Sequence, residues 1–420
     1  MTNRFFSPRS VYYGAGALDS LGTVSCRRAL ITTDRAIREL GLVERVENIL
    51  QAAGAVTRVF DQVEAEPSKE TAWQAFHLAR EFDPDLFVGL GGGSCMDVGK
   101  VAWLLFEHPD LADLPLSESL EQTKSRELRK KARYVAIPTT SGSGSEGTVA
   151  AVIVDREADP PLKPVFASEH LVPDVSILDP ELTVSLPPGV TADCGYDALV
   201  HAIEPYVWEF QSDLVDALSV GAARTILAWL PKAVADGKDL QAREKMHLAS
   251  LQGAMAISNA SHALPKKIGV HALAHSMGAA FHIPHGRANA FLLCQVFAFL
   301  YPVHKVRLSS LAESLGIEGA DHRSRVANLL AALDELKAKV AIPLSIRDSG
   351  VEEKWWLDQI DQLAARDAEG TDSISADEIR EIYMHAWHGT RAELKDYSVG
   401  AHGVLEAAGA VRGAPKRLAG

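Results

Sequence analysis

The feature that most constrains how this 420-residue chain folds is a change of texture at Pro187-Pro188. Before it, short runs rich in β-branched and aromatic residues alternate with helical stretches. Segments 28–33, 56–60, 85–90, 134–137, 150–154 and 175–178 read as strands, and 35–53, 69–81 and about 93–106 as helices. Parallel strands must be joined by a crossover, usually a helix, so this alternation predicts βαβ units. After it the period is helical throughout: 191–209, 213–235, 241–261, 269–280, 286–300, 324–339, 353–366 and 376–388. The expectation is an α/β domain over 1–187 and an all-helical domain over 188–420. The Ala- and Gly-rich end, 398–420, is expected to be poorly ordered. No repeat recurs at a fixed period.

Composition removes several function classes. Apolar residues at 47% and charged residues at 23% are an ordinary globular mix and exclude a disordered chain. Forty-two basic against 55 acidic side chains leave a net charge of −13, which lacks the positive field that phosphate backbones attract, so no nucleic-acid partner is expected. Unbroken apolar runs such as 291–293 and 296–300 fall far short of the roughly 18 residues of a bilayer span, and no membrane association is expected. The first residues, Met1-Thr2-Asn3-Arg4-Phe5-Phe6, carry no signal-peptide pattern. Cys26, Cys95, Cys194 and Cys294 stand far apart without a Cys-x-x-Cys pair, which points to a reducing, cytoplasmic setting.

Two loops carry phosphate-binding chemistry. In the first, the strand at 85–90 runs into Gly91-Gly92-Gly93-Ser94 and then a helix. Missing Cβ atoms let backbone N–H groups approach a phosphate, and the helix adds its N-terminal partial charge. The pattern is not G-x-G-x-x-G, so a plain βα turn is the competing reading. The second loop, Pro138-Thr-Thr-Ser-Gly-Ser-Gly-Ser-Glu-Gly-Thr148, offers hydroxyls and N–H groups; alone it is also what a surface loop looks like. Two such loops at strand ends favour a nucleotide cleft over either loop singly. Asp34 directly follows the 28–33 strand. There a carboxylate accepts from a ribose 2′-OH and repels a 2′-phosphate, favouring NAD over NADP, and it also suits a helix N-cap.

The histidines are unevenly spread. Asp197 and His201 stand four apart, one helical face, with Cβ atoms about 6 Å apart. His271 and His275 repeat that spacing, and His285 follows Pro284. Five of the 15 histidines fall between 262 and 285, where even scatter would place about one. Asp197, His201, His271 and His285 together suit Fe²⁺ or Zn²⁺, although any one of these histidines alone reads as an ordinary bonded imidazole. A Lewis acid beside a nicotinamide lowers the pKa of an alcohol oxygen, and His275 could carry the alcohol proton to solvent.

These segments resemble the iron-containing (group III) alcohol dehydrogenases from about residue 28 to 387. The motifs are Gly91-Gly-Gly-Ser-Cys-Met-Asp-Val-Gly-Lys100, Pro138-Thr-Thr-Ser-Gly-Ser-Gly-Ser-Glu146, Asp179-Pro-Glu-Leu182, Gly195-Tyr-Asp-Ala-Leu-Val-His-Ala-Ile-Glu204 and Phe281-His-Ile-Pro-His-Gly286. The resemblance implies a Rossmann-like N-terminal domain, a helical metal domain (the dehydroquinate synthase-like fold), and NAD(P) with iron or zinc held at a cleft. It implies Asp197, His201, His271 and His285 as metal ligands and His275 as proton carrier. Gly92, Gly93, Ser94 and Asp97 would line the pyrophosphate and nicotinamide side, with Thr139, Thr140 and Ser143 from the second loop. Lys163 would reach the ribose, and Asp34 matches the position that goes with NAD. Members commonly form dimers or larger homo-oligomers.

The chain departs from the family pattern in two places. Ser143 and Gly147 replace a usual Thr and a β-branched residue. Extra residues, Ser-His-Ala-Leu-Pro-Lys-Lys267, separate Ser258-Asn-Ala260 from His271. His262, Lys266 and Lys267 there could favour a substrate with an anionic tail such as a phosphonate, sulfonate or carboxylate; a solvated bulge is the plainer reading. The segment at 281–285 also resembles the alcohol-dehydrogenase half of bifunctional aldehyde–alcohol dehydrogenases. The expected function is an NAD-dependent, metal-dependent alcohol dehydrogenase or aldehyde reductase on a small primary alcohol or aldehyde. The competing reading is a dehydroquinate synthase-like lyase or cyclase on the same fold.

Overall fold

The structure is a computed structural model that describes residues 4–157, 162–208, 212–261, 269–369 and 374–395. Its contacts divide the chain into two compact units, one of Met1–Tyr206 with Phe210–Ala263 and one of Val207–Glu209 with Leu264–Gly420.

The first unit is built on strands β1 (Ser10–Tyr13), β2 (Arg28–Thr32), β3 (Val56–Phe60), β4 (Leu86–Gly91), β5 (Arg133–Pro138) and β8 (Val175–Leu178). They form one parallel sheet in the order β1-β8-β5-β4-β2-β3. Helices α1 (Arg35–Glu39), α2 (Leu42–Ala52), α3 (Lys69–Phe82), α4 (Gly93–Glu107) and α5 (Leu116–Thr123) supply the crossovers. Alternate strand residues feed opposite cores. Leu30, Phe87 and Tyr134 pack on one face with Phe76 and Trp103, while Ile31, Val88 and Val135 pack on the other with Val43 and Val46. That two-sided burial is why these strands read as nearly continuous apolar runs. The chain leaves β2 for β3 on one side and returns through β4 on the other. The carboxyl ends of β2 and β4 therefore flank the switch point where such sheets bind ligands.

The structure differs from expectation in a few places. The helix expected over 35–53 is two helices with Gly41 between them in the left-handed region, φ 74°. β1 escapes detection because Tyr12 and Tyr13 are exposed at the sheet's outer strand, so no buried pattern marks it. The run at 150–154 shortens to β6 (Ala150–Val152), which pairs antiparallel with β7 (Val165–Ala167) in a separate two-stranded sheet rather than joining the parallel one.

The helical region starts at Pro188, as the texture change predicts, with α6 (Pro188–Val207), α7 (Asp213–Ala235) and α8 (Leu240–Ser261). These three fall largely within the sheet-bearing unit, so the compact units part further along the chain than the texture does. The second unit carries α9 (Val270–Phe281), α10 (His285–Ser314), α11 (His322–Lys339), α12 (Glu353–Ala368) and α13 (Ala376–His388). α10 packs on α9, α11 and α13, around a stack of Trp356 and Trp387 at 5.1 Å. It runs well past residue 300 through Pro302, which a long packed helix tolerates as a missing hydrogen bond and a bend.

Among the described residues α7 and α10 are long and apolar enough to cross a bilayer by length and mean hydropathy, 1.3 and 1.2. Both interleave polar side chains, which is why no unbroken apolar run announces them. Each is packed on a neighbouring helix of its own unit, α7 on α8 and α10 as above. The motif at 179–182 is a structural corner. Asp179 Oδ1 caps the short turn at Glu181 N (3.0 Å), and Oδ2 accepts from Leu18 N (3.0 Å).

Candidate nucleotide cradle and metal-binding side chains

At the switch point Asp34 caps α1, its Oδ1 accepting from Ile37 N at 2.8 Å. Its second oxygen faces the Cys95 thiol of α4 at 3.4 Å. Asp34 thus holds the cap position, and its second oxygen turns toward the start of α4. Gly92 is the N-cap of α4, and Gly93 begins the helix. A Cβ at Gly93 would fall 2.7 Å from the Ser143 Cβ, so the two glycine-bearing loops lie against each other. Thr139 N also donates to Gly91 O at 2.9 Å, and Thr140 stands 3.7 Å from where a Cβ on Gly92 would be. The structure therefore brings Gly92, Gly93, Thr139, Thr140 and Ser143 together beside Asp34. A small-residue cradle at a helix N-terminus, bordered by Thr140 at Gly92, has the chemistry to hold a pyrophosphate.

Three expected cofactor residues are occupied within the protein. Ser94 Oγ donates to Ala65 O at 2.8 Å, and Lys163 Nζ pairs with Glu66 at 2.6 Å. Both reach the loop after β3. Asp97 is buried beneath the second loop, accepting from Ser145 Oγ (2.7 Å) and Val152 N (3.0 Å). Burial raises its pKa, against the nearby Lys100 charge. Asp97 holds the loop from below.

Lys100 and Glu146 complete a buried polar cluster that sequence reading passed over. The Lys100 ammonium donates to Thr148 O (2.9 Å) and Ala150 O (3.0 Å), and burial brings its pKa down to about 8. Burial likewise lifts Glu146 to about 7. His247 of α8, fully buried with Nδ1 3.2 Å from Ser141 Oγ, is pushed down to about 4 by burial. Nothing in spacing separates these three from core-facing polar residues of a surface helix. Only their burial does.

Asp197 and His201 share a face of α6 and are 6% and 9% exposed. His201 Nδ1 lies 3.2 Å from the Gly142 carbonyl. A carbonyl can only accept, so the ring proton sits on Nδ1 and the lone pair on Nε2, the tautomer a metal-ligating histidine adopts. In the second unit α9 ends at His282 in the left-handed region, φ 54°, and Pro284 restarts the chain so that His285 opens α10. That sharp corner brings the His285 ring centroid to 5.6 Å from His271 and 4.6 Å from His275. The Asn289 amide stands 3.3 Å from His285 Nε2. Clustered imidazole nitrogens are donors of the kind a divalent transition metal takes. Each unit thus holds its share of the expected ligands, and the residues present fit a divalent transition metal. His262, Lys266 and Lys267 lie outside the described residues.

A parallel sheet with a small-residue cradle at its switch point, followed by helices rich in metal-type donors, has the features of a dinucleotide- and metal-using enzyme. The comparisons with known proteins narrow this. The family description "Iron-containing alcohol dehydrogenase" matches residues 8–180, and "Fe-containing alcohol dehydrogenase family, C-terminal" matches 191–387. A NADPH-dependent butanol dehydrogenase of Clostridium saccharobutylicum is 34% identical over 93% of this chain and 100% of its own length. The bifunctional aldehyde-alcohol dehydrogenase of Escherichia coli K12 is 35% identical over 85% of this chain, which spans 42% of that longer protein. Among solved structures, a 1,3-propanediol oxidoreductase superposes with a TM-score of 0.81 at 30% identity, over 92% of this chain and all of the other. A sulfoacetaldehyde reductase of Bifidobacterium kashiwanohense in complex with NAD+ gives 0.77 at 25% identity, over 92% and 99%. The chain belongs to the iron-containing alcohol dehydrogenase family, whose members are oxidoreductases using NAD(P) and iron. The lyase alternative loses its ground, since both halves of the chain match the alcohol-dehydrogenase family.

Proposed function

We propose that this protein interconverts a small primary alcohol and its aldehyde with NAD, using one Fe²⁺, or Zn²⁺, ligated by Asp197, His201, His271 and His285. The observation that carries the reading is the packing of His285 against His271 and His275 at one helix corner. The bound metal supplies Lewis acidity to the substrate oxygen. The protein's own groups do the rest. The 91–94 turn and the 139–143 loop bind the pyrophosphate and orient the nicotinamide. Asp197 brings negative charge to the donor set, and the Gly142 carbonyl keeps the His201 lone pair on Nε2. His275, next to His285 but outside the ligand set, exchanges the hydroxyl proton with solvent. His271→Ala is expected to lose its bound metal by elemental analysis and to lower kcat at least about 100-fold; wild-type turnover in a metal-free variant would sink the reading.

Asp34 supports NAD over NADP, because its carboxylate would repel a 2′-phosphate. The two roles of that residue separate cleanly. Asp34→Ser keeps a capping oxygen but loses the charge, so the preference for NAD+ over NADP+ in kcat/KM should fall about tenfold with the thermal midpoint nearly unchanged.

The reading extends to substrates with an anionic tail, recognised by His262, Lys266 and Lys267. Its support is the positive charge of that inserted segment and the likeness to a reductase of sulfoacetaldehyde. A panel of neutral and anionic aldehydes, followed by NADH absorbance on the iron-loaded enzyme, tests it. Preference for anionic aldehydes should vanish in a Lys266→Ala/Lys267→Ala variant, and equal rates on both kinds in the wild type would refute it. The reading also includes a homodimer or larger homo-oligomer, supported by the exposed Tyr13 on the outer strand β1 and tested by sedimentation.

A further inference from the structure

The second loop, 138–148, is built of residues that confer no stiffness, yet a cofactor loop must hold its N–H and hydroxyl groups still. Gly/Ser chains behave as flexible coil unless something outside them fixes their course. Asp97 holds the loop at Ser145, His201 meets it at Gly142 and Ser176 Oγ donates to Glu146 O, and the rest of the fixing surface is one stripe of α8. His247, Ser250, Leu251, Ala254 and Ser258 recur at three- and four-residue intervals, one face of the helix. His247 Nδ1 meets Ser141 Oγ at 3.2 Å. Ala254 sits under Gly144, where an added Cβ would come within 2.2 Å of the alanine Cβ and where φ is +63°. Leu251 lies against Gly147, its Cδ1 2.6 Å from where a Cβ would stand. Ser258 Oγ accepts from Val149 N at 3.4 Å. α8 thus meets the loop at 141, 144 and 147 and the chain just beyond it at 149.

At Gly147 the chain carries no side chain. The structure supplies the reason: the Leu251 side chain fills the volume that a side chain at 147 would take. No left-handed backbone demands glycine at that position, so the demand is for space alone.

We propose that this face of α8 is a rack that sets the cofactor loop, with His247 a positioning residue for the dinucleotide acting through Ser141, and Leu251 and Gly147 a matched pair that fixes the loop's height above the helix. The proposal rests on the reading that the 138–148 loop lines the dinucleotide. His247 is suited to the role because burial keeps it uncharged at neutral pH, so it offers a fixed neutral hydrogen bond and no field toward the pyrophosphate.

A size swap and a conservative pair test it on the metal-loaded, full-length protein. Gly147→Val alone should weaken NAD+ binding, measured by calorimetric titration, about tenfold or more, because Leu251 stands in the way. Leu251→Ala alone should weaken it less. The double variant should return to within about threefold of wild type, a coupling that independent sites would not show. His247→Leu should raise the NAD+ dissociation constant about tenfold, while His247→Asn, which keeps a hydrogen-bonding group near the Nδ1 position, should stay within about threefold. The same variants are read without nucleotide by amide hydrogen exchange. Residues 139–149 should exchange faster in His247→Leu and Gly147→Val and return toward wild-type rates in the double variant. Additive effects in the size swap, or wild-type NAD+ affinity in His247→Leu, would overturn the rack. Unchanged exchange across 139–149 in all variants would overturn it too. Failure of the parent reading looks different: the exchange pattern appears as stated, while the wild-type protein itself binds no NAD+.

Discussion

Glu146 and His247 show what burial does to single side chains. Glu146 is held protonated up to about pH 7, far above an exposed glutamate, because burial strips water from its charged form. As pH rises from its unfolded value near 4.5 toward 7, the unfolded chain has released a proton that the folded one keeps, so stability falls by about 3 kcal/mol. His247 is the mirror case. Its folded pKa of about 4 lies below the unfolded 6.5, so the unfolded chain holds the extra proton and stability rises with pH across nearly the same window, again by about 3 kcal/mol. The two slopes oppose each other, and the wild-type denaturation midpoint should change little between these pH limits on their account. Removing one member exposes the other. Glu146→Gln should become more stable as pH rises through 5 to 6.5, and His247→Asn less stable, in urea titrations at matched ionic strength. Parallel pH profiles in the two variants would contradict the assignment. Composition and spacing reveal neither shift, because both arise from the depth at which the folded chain places the group.

At the level of elements, α9 carries two of the clustered histidines and is held by its neighbours through one carboxylate. Asp367, at the end of α12, accepts from Ser276 Oγ of α9 and from Tyr383 Oη of α13, both at 2.5 Å. Tyr383 Oη also donates toward Leu273 O at 3.3 Å. Ser276 directly follows His275, so this clamp fixes the turn of α9 from which the proton carrier projects. Asp367→Ala would leave the half-buried Ser276 hydroxyl without this acceptor and the buried Tyr383 hydroxyl with only the longer contact to Leu273 O, at a cost of about 1–2 kcal/mol, measurable by chemical denaturation. Asp367→Asn, which keeps one carbonyl oxygen, should lose less. Equal losses in both would mean that volume rather than hydrogen bonding matters there. The same scale explains the family's short motifs. Asp179-Pro-Glu-Leu182 is a capped corner, and Phe281-His-Ile-Pro-His-Gly286 is a helix stop and restart that aims one imidazole. A short motif of this kind marks where the backbone must turn as often as where chemistry happens.

Across the whole molecule, the proposed nucleotide cradle lies in the sheet-bearing unit and the three clustered imidazoles in the helical one. NAD+ at about 100 times its dissociation constant should stabilise the protein by about 2.7 kcal/mol, shifting the thermal transition of the sheet-bearing unit upward by about 5–10 °C. Hydrogen exchange should slow chiefly across the 91–107 and 139–149 backbone. NADP+ at the same concentration should do less. An equal shift with both dinucleotides would remove Asp34 as the discriminating residue.

Periodicity and composition alone determined the alternation up to Pro188, the helices after it, the two glycine-bearing loops and the Asp/His spacings. Each of these is local: a period, a cap or a turn is written within a few residues of where it acts. What only the tertiary structure decided is non-local. It decided that Asp97 and Lys163 are committed to protein partners, and that β6 leaves the parallel sheet for a hairpin with β7. It set the tautomer of His201 through a carbonyl 59 residues away. It made a stripe of α8 the bed of a loop about a hundred residues earlier in the chain. Burial, desolvation and the seating of one element on another depend on which distant segments meet, and no local pattern encodes that.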